Sequence, residues 1–316
     1  MQVTPASMTA LYQTYSFVFN QTFAGAQTTY QQLVTRVPSS TLANYYPFSD
    51  ELPQAREWIG ERVLQNRAAR TYVLQNRDWE LTVKLNRNQV EDETFGFFGT
   101  NTVPFMARQA AKQPDYMLQD LIQNGDSSSS TIYQAYDGQP FFSTAHPVNM
   151  DNSTFGTYSN RRTSTALNAT NLDLMMTAVA GFKGANNKIV GAGATHLLVP
   201  PALATTARTI LNAGIIAPTT GIGGNANSIA VTNVMQNAVQ LIVMPELAGE
   251  DTTWYLLDLG QFMRPFIYQE RKAPQFQVKD RPDDENVFWT KEFIYGWDSR
   301  GAMGYSFPFL ALQAIA

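Results

Sequence analysis

Read from the amino end, the pattern of apolar and polar positions is first helical. Leu11, Tyr15, Val18 and Phe19, then Phe23, Tyr30, Leu33 and Val34, recur at roughly helical spacing. The stretch VPSSTLANYYPFSDELP then breaks any helix at Pro38, Pro47 and Pro53. The first fifty residues therefore predict a helical, aromatic, proline-punctuated arm. Having little core of its own, it needs a surface to lie on, its own body or a neighbour's. From Thr71 to Arg87 the period drops to two. In WELTVKLNR, Trp79, Leu81, Val83 and Leu85 alternate with Glu80, Thr82 and Lys84, a half-buried strand. The preceding TYVLQ is also strand-like and Asn76-Arg77-Asp78 supplies a turn, which together predict a β-hairpin. A projecting hairpin offers its edges to another subunit.

Further on, Phe105 to Lys112 is helical in pattern, and Pro114 suits the first position of a renewed helix. Leu118, Leu121 and Ile122 form its buried stripe and Gly125 its stop. A serine run follows, then YDGQPFFSTAHP (136–147). Residues 165–260 predict an α/β unit. NLDLMMTAVAGFKG has an Asn cap and an apolar stripe, and THLLVPPALATTARTIL reads as a strand followed by a helix opening at Pro201. A Gly/Asn-rich loop leads to the strands VQLIVM and TWYLLDL. After Gly260 the pattern is mostly strand, including VFWTKEFIYGWD.

Composition narrows the function. The charged fraction of 15% is low, and the difference is made up by Gln, Asn, Ser, Thr and aromatics. Such a surface suits permanent contact with other protein. A net charge of -4 argues against a dedicated nucleic-acid reader, which needs a basic stripe. With no cysteine, there are no disulfides, thiolate metal sites or cysteine nucleophile. The amino end lacks a signal-peptide pattern and no apolar run is long enough to cross a bilayer, so a soluble protein made in the cytoplasm is expected.

Candidate chemistry is sparse. The chain has two histidines, His146 in a loop and His196 in the apolar strand THLLV, with no carboxylate at ligand spacing, no HExxH and no GxSxG. GIGGNAN (221–227) lacks the lysine and the helix pattern of a phosphate loop. The acidic runs at 91–93 and 283–285 read as solvated strand ends. No catalytic residue, cofactor site or metal site is expected.

Several stretches, in collinear order over most of the chain, resemble the Mu-like phage major head subunit family. They are PQAREWIGER (53–62), YVLQNRDWELTVKLNRNQVEDE (72–93), ARQAAKQPDYMLQDLIQNG (107–125), YDGQPFFSTAHP, LLVPPALATTARTIL (197–211), RPFIYQERKAP (264–274) and VFWTKEFIYGWDSRGAMGYSFPFLALQ (287–313). The family often has an acidic residue before the histidine, where this chain has Ala145, so a charged partner for His146 is missing at that position.

The resemblance implies an α+β fold of the Hong Kong 97 type. Its parts would be an N-terminal arm (1–70), an extended E-loop hairpin (71–93), a peripheral (P) domain with a long spine helix (94–164), an axial (A) domain (165–260) and a return of C-terminal strands to the P domain (261–316). It implies a major capsid protein that assembles in the host cytoplasm into pentamers and hexamers of an icosahedral virion shell. The shell would enclose double-stranded DNA without sequence specificity, with scaffold, portal and decoration proteins as further partners and no membrane. Contacts between subunits are expected from Tyr12, Phe17, Phe19 and Phe23 on the arm, and from Arg56, Glu57, Trp58 and Arg62 where arm meets body. Trp79, Leu81, Val83 and Lys84 on the hairpin and the loop 215–228 complete the set. The alternative for each is packing within the subunit. Asp137, Gly138, Phe141, Phe142, His146 and Pro147 are expected to form a structural junction between P and A domains. The rival readings are an encapsulin-like protein compartment and an α/β hydrolase-like enzyme using His146 with Ser143 or Asp137.

Overall fold

The computed structural model describes residues 5–49, 57, 69–92, 98–185, 187–216, 231–281 and 283–316. Helix α1 (Pro5–Gly25) and a single turn, α2 (Tyr30–Leu33), lead into strands β1 (Val34–Pro38), β2 (Ala43–Ser49), β3 (Ala69–Gln75) and β4 (Arg77–Asn86). Helices α3 (Arg87–Asp92) and α4 (Val103–Asn124) follow, then short strands β5 (His146–Pro147), β6 (Thr157–Tyr158) and β7 (Arg161–Arg162). Next come α5 (Ala169–Ala180), β8 (His196–Val199), α6 (Ala204–Asn212), β9 (Ile215–Ile216), β10 (Val231–Thr232), β11 (Gln240–Val243) and β12 (Thr253–Leu257). The chain ends in β13 (Phe266–Lys279), α7 (Glu285–Thr290), β14 (Glu292–Tyr305) and β15 (Ala311–Ile315).

Two sheets organise these elements. The first runs β1-β13-β14-β4, and the second β11-β8-β12-β15-β7. Under the first sheet, Met8, Tyr15 and Phe19 of α1 bury themselves against Val103, Met106 and Ala110 of α4 and against Phe293, Tyr295 and Trp297 of β14. The alanines Ala107 and Ala110 let the two helices approach closely. On the second sheet, α5 and α6 supply Leu172, Val179, Ala207 and Ile210 to a core with Trp254, Leu256 and Leu312. A third cluster joins the two units, packing Leu118, Leu121 and Ile122 of α4 with Phe141, Phe142, Tyr255 and Tyr305.

Four expectations change. TYVLQ and WELTVKLNR are strands but do not pair with each other: β3 pairs antiparallel with β2, and β4 with β14. The predicted 71–93 hairpin is thus replaced by a β2–β3 ribbon, Ala43 opposite Gln75, whose strands are joined by residues 50–68. Asn76 between β3 and β4 is not a solvated turn residue but is buried, its amide bonded to Ser39 and Thr41. Second, α4 runs unbroken through Pro114, which only removes the one backbone N–H that the Ala110 carbonyl would have accepted. Third, β15 does not return to β13 and β14. It lies in the second sheet between antiparallel β12 and parallel β7. Fourth, residues 285–290 of the strand-like VFWT stretch are a turn and a half of helix.

The helix cap also moves: Asn168, three residues before Asn171, accepts the Asn171 N–H and opens α5. Gly125 does follow α4, for a reason other than a left-handed turn. Its φ is -65°, and a Cβ there would sit 2.8 Å from Phe142 and from the Leu121 carbonyl. Among the described residues no helix is long and apolar enough to cross a membrane.

Candidate assembly surface and the junction beneath it

The junction begins in a turn. Gly138 takes φ 77°, the Gly138 N–H reaches the Ala135 carbonyl, and Asp137 Oδ1 accepts the Gln139 N–H at 3.1 Å. The other oxygen of Asp137, Oδ2, lies 2.6 Å from His146 Nδ1. His146 Nε2 donates to the Phe141 carbonyl at 3.1 Å, and the fully buried ring stacks on Tyr158. The charged partner absent at Ala145 is supplied by Asp137, nine residues away in sequence. Because a carbonyl only accepts, Nε2 carries a proton.

Phe141 and Phe142 anchor the segment. Phe141 stacks on Tyr305 with centroids 4.2 Å apart, and Phe142 packs on Tyr255. Asn160, which the sequence reading passes over, completes the junction. Its amide donates to the carbonyls of Phe141 and Pro308, its oxygen accepts the Ser143 N–H, and its backbone carbonyl accepts from Gln313 of β15. One buried side chain thereby ties the Phe141 segment to the C-terminal strand. Only its full burial, invisible in sequence, marks it.

This geometry bears on the hydrolase reading. Both ring nitrogens of His146 are engaged, and Ser143 Oγ accepts from the Ala145 N–H. Neither ring nitrogen of His146 bonds the Ser143 hydroxyl, so this pair is not set up as nucleophile and base. A groove of about 630 Å³ between β3, α4 and β14 is lined by Tyr72, Val73, Tyr116, Met117 and Ile132, and neither histidine reaches it. His196 faces Thr195 Oγ1 at 2.8 Å, and burial lowers its pKa. Among the described residues, no group of three His, Asp or Glu side chains is placed to hold a metal.

The β2–β3 ribbon has one apolar face turned to the body and one turned to water. Its inner face carries Tyr46, Phe48 and Tyr72, which pack with Tyr136, Ile267 and Phe307. Phe48 meets Phe307 edge-on at 4.9 Å. At its base, buried Gln269 of β13 donates to Leu74 O and Asn76 Oδ1 and accepts from Tyr46 Oη. The ribbon crosses β14 at Gly304, where a Cβ would come within 2.9 Å of Tyr72 Oη. Further out, Arg70 pairs with Asp151 at 2.5 Å. The outer face is uncharged: Tyr45 and Val73, directly opposite each other, are 70% and 50% exposed.

The other expected contact residues divide. Phe19 is fully buried in the chain's own core against Phe276, a correction to its place on an arm surface. Tyr12 stacks on Phe276, and Phe23 stacks on Phe19, so only Phe17, 67% exposed, points away from the body. Trp79, Leu81 and Val83 belong to β4 and pack on the core beneath the first sheet, while Lys84 pairs with Glu292 of the same chain. None of the four projects on a hairpin. Glu57 is exposed, and Arg56, Trp58, Arg62 and most of the loop 215–228 lie outside the described residues.

A second buried polar joint, also unforeseen, binds α2 to α4. Asp115 Oδ1 accepts the N–H groups of Thr29 and Tyr30, while Lys112 pairs with Glu246 at 2.5 Å. Asp115 Oδ2 and Glu246 Oε2 are buried without a hydrogen-bond partner. Burial pushes the Asp115 carboxyl up to about 6, and the Glu246 charge adds to this.

Comparison with known proteins places this architecture. The family described as Mu-like prophage major head subunit gpT matches residues 8–166, 161–247 and 246–315. The major capsid protein of Escherichia phage Mu is 27% identical over 307 residues, 97% of this chain and 73% of that protein. The Mu-like prophage FluMu major head subunit of Haemophilus influenzae is 27% identical over 306 residues, 96% and 72% of the two. Among solved structures, a chain of the procapsid of bacteriophage JBD30 aligns with a TM-score of 0.59 at 28% identity, covering 99% of this chain and 76% of that one. The fold is that of phage capsid subunits, and this chain belongs to the family of the Mu-like prophage major head subunit gpT, as a major capsid protein.

Proposed function

We propose that copies of this chain close into an icosahedral shell of pentamers and hexamers around double-stranded DNA, and that the β2–β3 ribbon is the arm each copy lays on the next. The observation that carries this is the contrast between the ribbon's two faces. The inner face is locked to the body by aromatic packing and by Gln269, while the outer face leaves Tyr45 and Val73 to water. A rigid, uncharged apolar surface of this kind finds its cover in a partner. Heterologous contacts repeated by rotation close into shells, and many modest contacts per subunit sum to a stable particle. The net charge of -4 supports a container that lets packed DNA slide instead of gripping it. Assembly takes place in the host cytoplasm, and scaffold, portal and decoration proteins act as partners.

Electron microscopy of the expressed full chain tests the reading. Shells are expected from the native sequence, and folded but unassembled protein from a Tyr45→Ser, Val73→Ser double variant. Normal shells from the double variant would refute the ribbon's role. Particles recovered from phage-producing cells should hold nuclease-resistant double-stranded DNA; protein cargo in its place points to the compartment reading.

A further inference from the structure

The joint between α4 and the turn at 245–247 is one positive charge short. Lys112 and Asp115 stand three residues apart on α4, on one face of the helix. The Lys112 ammonium pairs with Glu246 Oε1, and Asp115 Oδ1 accepts the Thr29 and Tyr30 N–H groups at 3.0 and 2.6 Å. The second oxygens, Asp115 Oδ2 and Glu246 Oε2, are buried without a hydrogen-bond partner. Asp115 is fully buried and the Glu246 side chain is 5% exposed, so bulk water does not screen the pair. The other titratable groups around the joint are the phenols of Tyr30, Tyr116 and Tyr268, and Arg36 of β1, which is already paired with Glu270 of β13. Two carboxylates therefore share one ammonium. A single proton on the pair brings Asp115, Glu246 and Lys112 to neutrality together, the state that burial favours.

Two elements cover Asp115. The turn at 245–247 is pinned to the core by fully buried Met244 and Leu247. The passage from α1 to β1 is held less firmly, with Gln27 exposed and Thr28, Thr29 and Tyr30 only half-buried ahead of buried Leu33. The passage is the side that gives way. We infer that it is a proton-operated latch: with one proton on the Asp115–Glu246 pair it lies shut on α4, and when that proton leaves for water the passage lifts and lets the Asp115 carboxylate reach solvent. The N-terminal helix is then joined to the body through a hinge and no longer through a fixed joint.

Hydrogen exchange of the full chain, read on peptides within residues 24–33 and corrected for the intrinsic rate at each pH, tests the latch. From about pH 4 to about pH 8 the native passage should lose protection by up to about a hundredfold, because burial and the Glu246 charge raise the Asp115 carboxyl from 3.8 to about 6. At every pH it should stay less protected than β12, the mark of a local opening. Asp115→Asn, which carries an amide N–H in place of the proton, should keep the passage shut across the range. Glu246→Gln removes the neighbouring charge and should move the midpoint to lower pH. A flat native profile overturns the inference, as does a passage that exchanges only as fast as β12. So does an Asp115→Asn chain that keeps the native profile, and, should that chain not fold, a Glu246→Gln midpoint that does not move. A midpoint that shifts when sodium is replaced by choline at constant ionic strength also overturns it, by giving the site to a metal cation.

Discussion

The joint around His146 and the joint around Asp115 both bury a carboxylate beside a nitrogen-bearing side chain, yet they are finished differently. Asp137 uses one oxygen for the Gln139 N–H and the other for His146, and Asn160 fills the remaining acceptors nearby. Asp115 takes two backbone N–H groups on one oxygen and leaves the other bare, facing a site where Glu246 also has a bare oxygen. In the first joint every side-chain nitrogen and oxygen of Asp137, His146 and Asn160 has a partner, which holds one geometry. The second carries two negative groups, Asp115 and Glu246, against the single ammonium of Lys112, with the Tyr30 phenol close by. The second joint, with its bare buried oxygens, invites a proton.

The contrast can be broken by substitution. The largest effect is expected for His146→Ala, which strips a partner from buried Asp137 and leaves the ring's space empty, at roughly 3–5 kcal/mol of unfolding free energy in denaturant titration. Asn160→Ala removes donors from two carbonyls and an acceptor from Ser143, and should cost about 2–3 kcal/mol by the same measurement. If either variant lost less than about 1 kcal/mol, the joint would not be the staple described.

The open joint should respond to pH. The Asp115 carboxyl is raised from 3.8 to about 6 in the folded chain, so its contribution to stability is full below about pH 4 and is lost as pH rises through 6. Asp115→Asn should remove that dependence and raise stability at pH 8 by about 2 kcal/mol, leaving it little changed at pH 4. An Asn variant with the native pH profile would sink the assignment. The smallest effect is expected at Lys84→Ala. Its pair with Glu292 is 70% exposed on the lysine side, and its loss should shift stability by no more than about 0.5 kcal/mol.

Legibility in sequence followed the range of the physics. Local signals read correctly include the alternation of β4, the Pro201 start that leads into α6, and the Asp137-Gly138 turn. Pairing is a long-range matter: nothing in TYVLQ says that its partner is ANYYPFS (43–49), on the far side of residues 50–68, and not the strand that follows. Burial of polar groups is equally hidden. Asn76 and Asn160 have the chemistry of turn residues, and only their enclosure by Gln269 and by Phe141 makes them staples. Phe19 was legible as an anchor but not as an anchor to its own chain, because an aromatic stripe does not state whose surface it meets. The α7 residues Phe288 and Trp289 read as strand because a short apolar run such as Val287-Phe288-Trp289 does not by itself separate a short helix from an extended strand.

The placement of β15 between β12 and β7 bears on how the subunit is made. A nascent chain emerges from its amino end, so β8, β11 and β12 leave the ribosome long before residues 311–315 exist. Until then the Trp254 strand has an open edge and the Asn160 carbonyl lacks the Gln313 N–H. The second sheet therefore finishes last, whatever formed before it. Without residues 311–315 the second sheet would keep an unpaired β12 edge, and the Asn160 staple would lose its bond to the C-terminal strand.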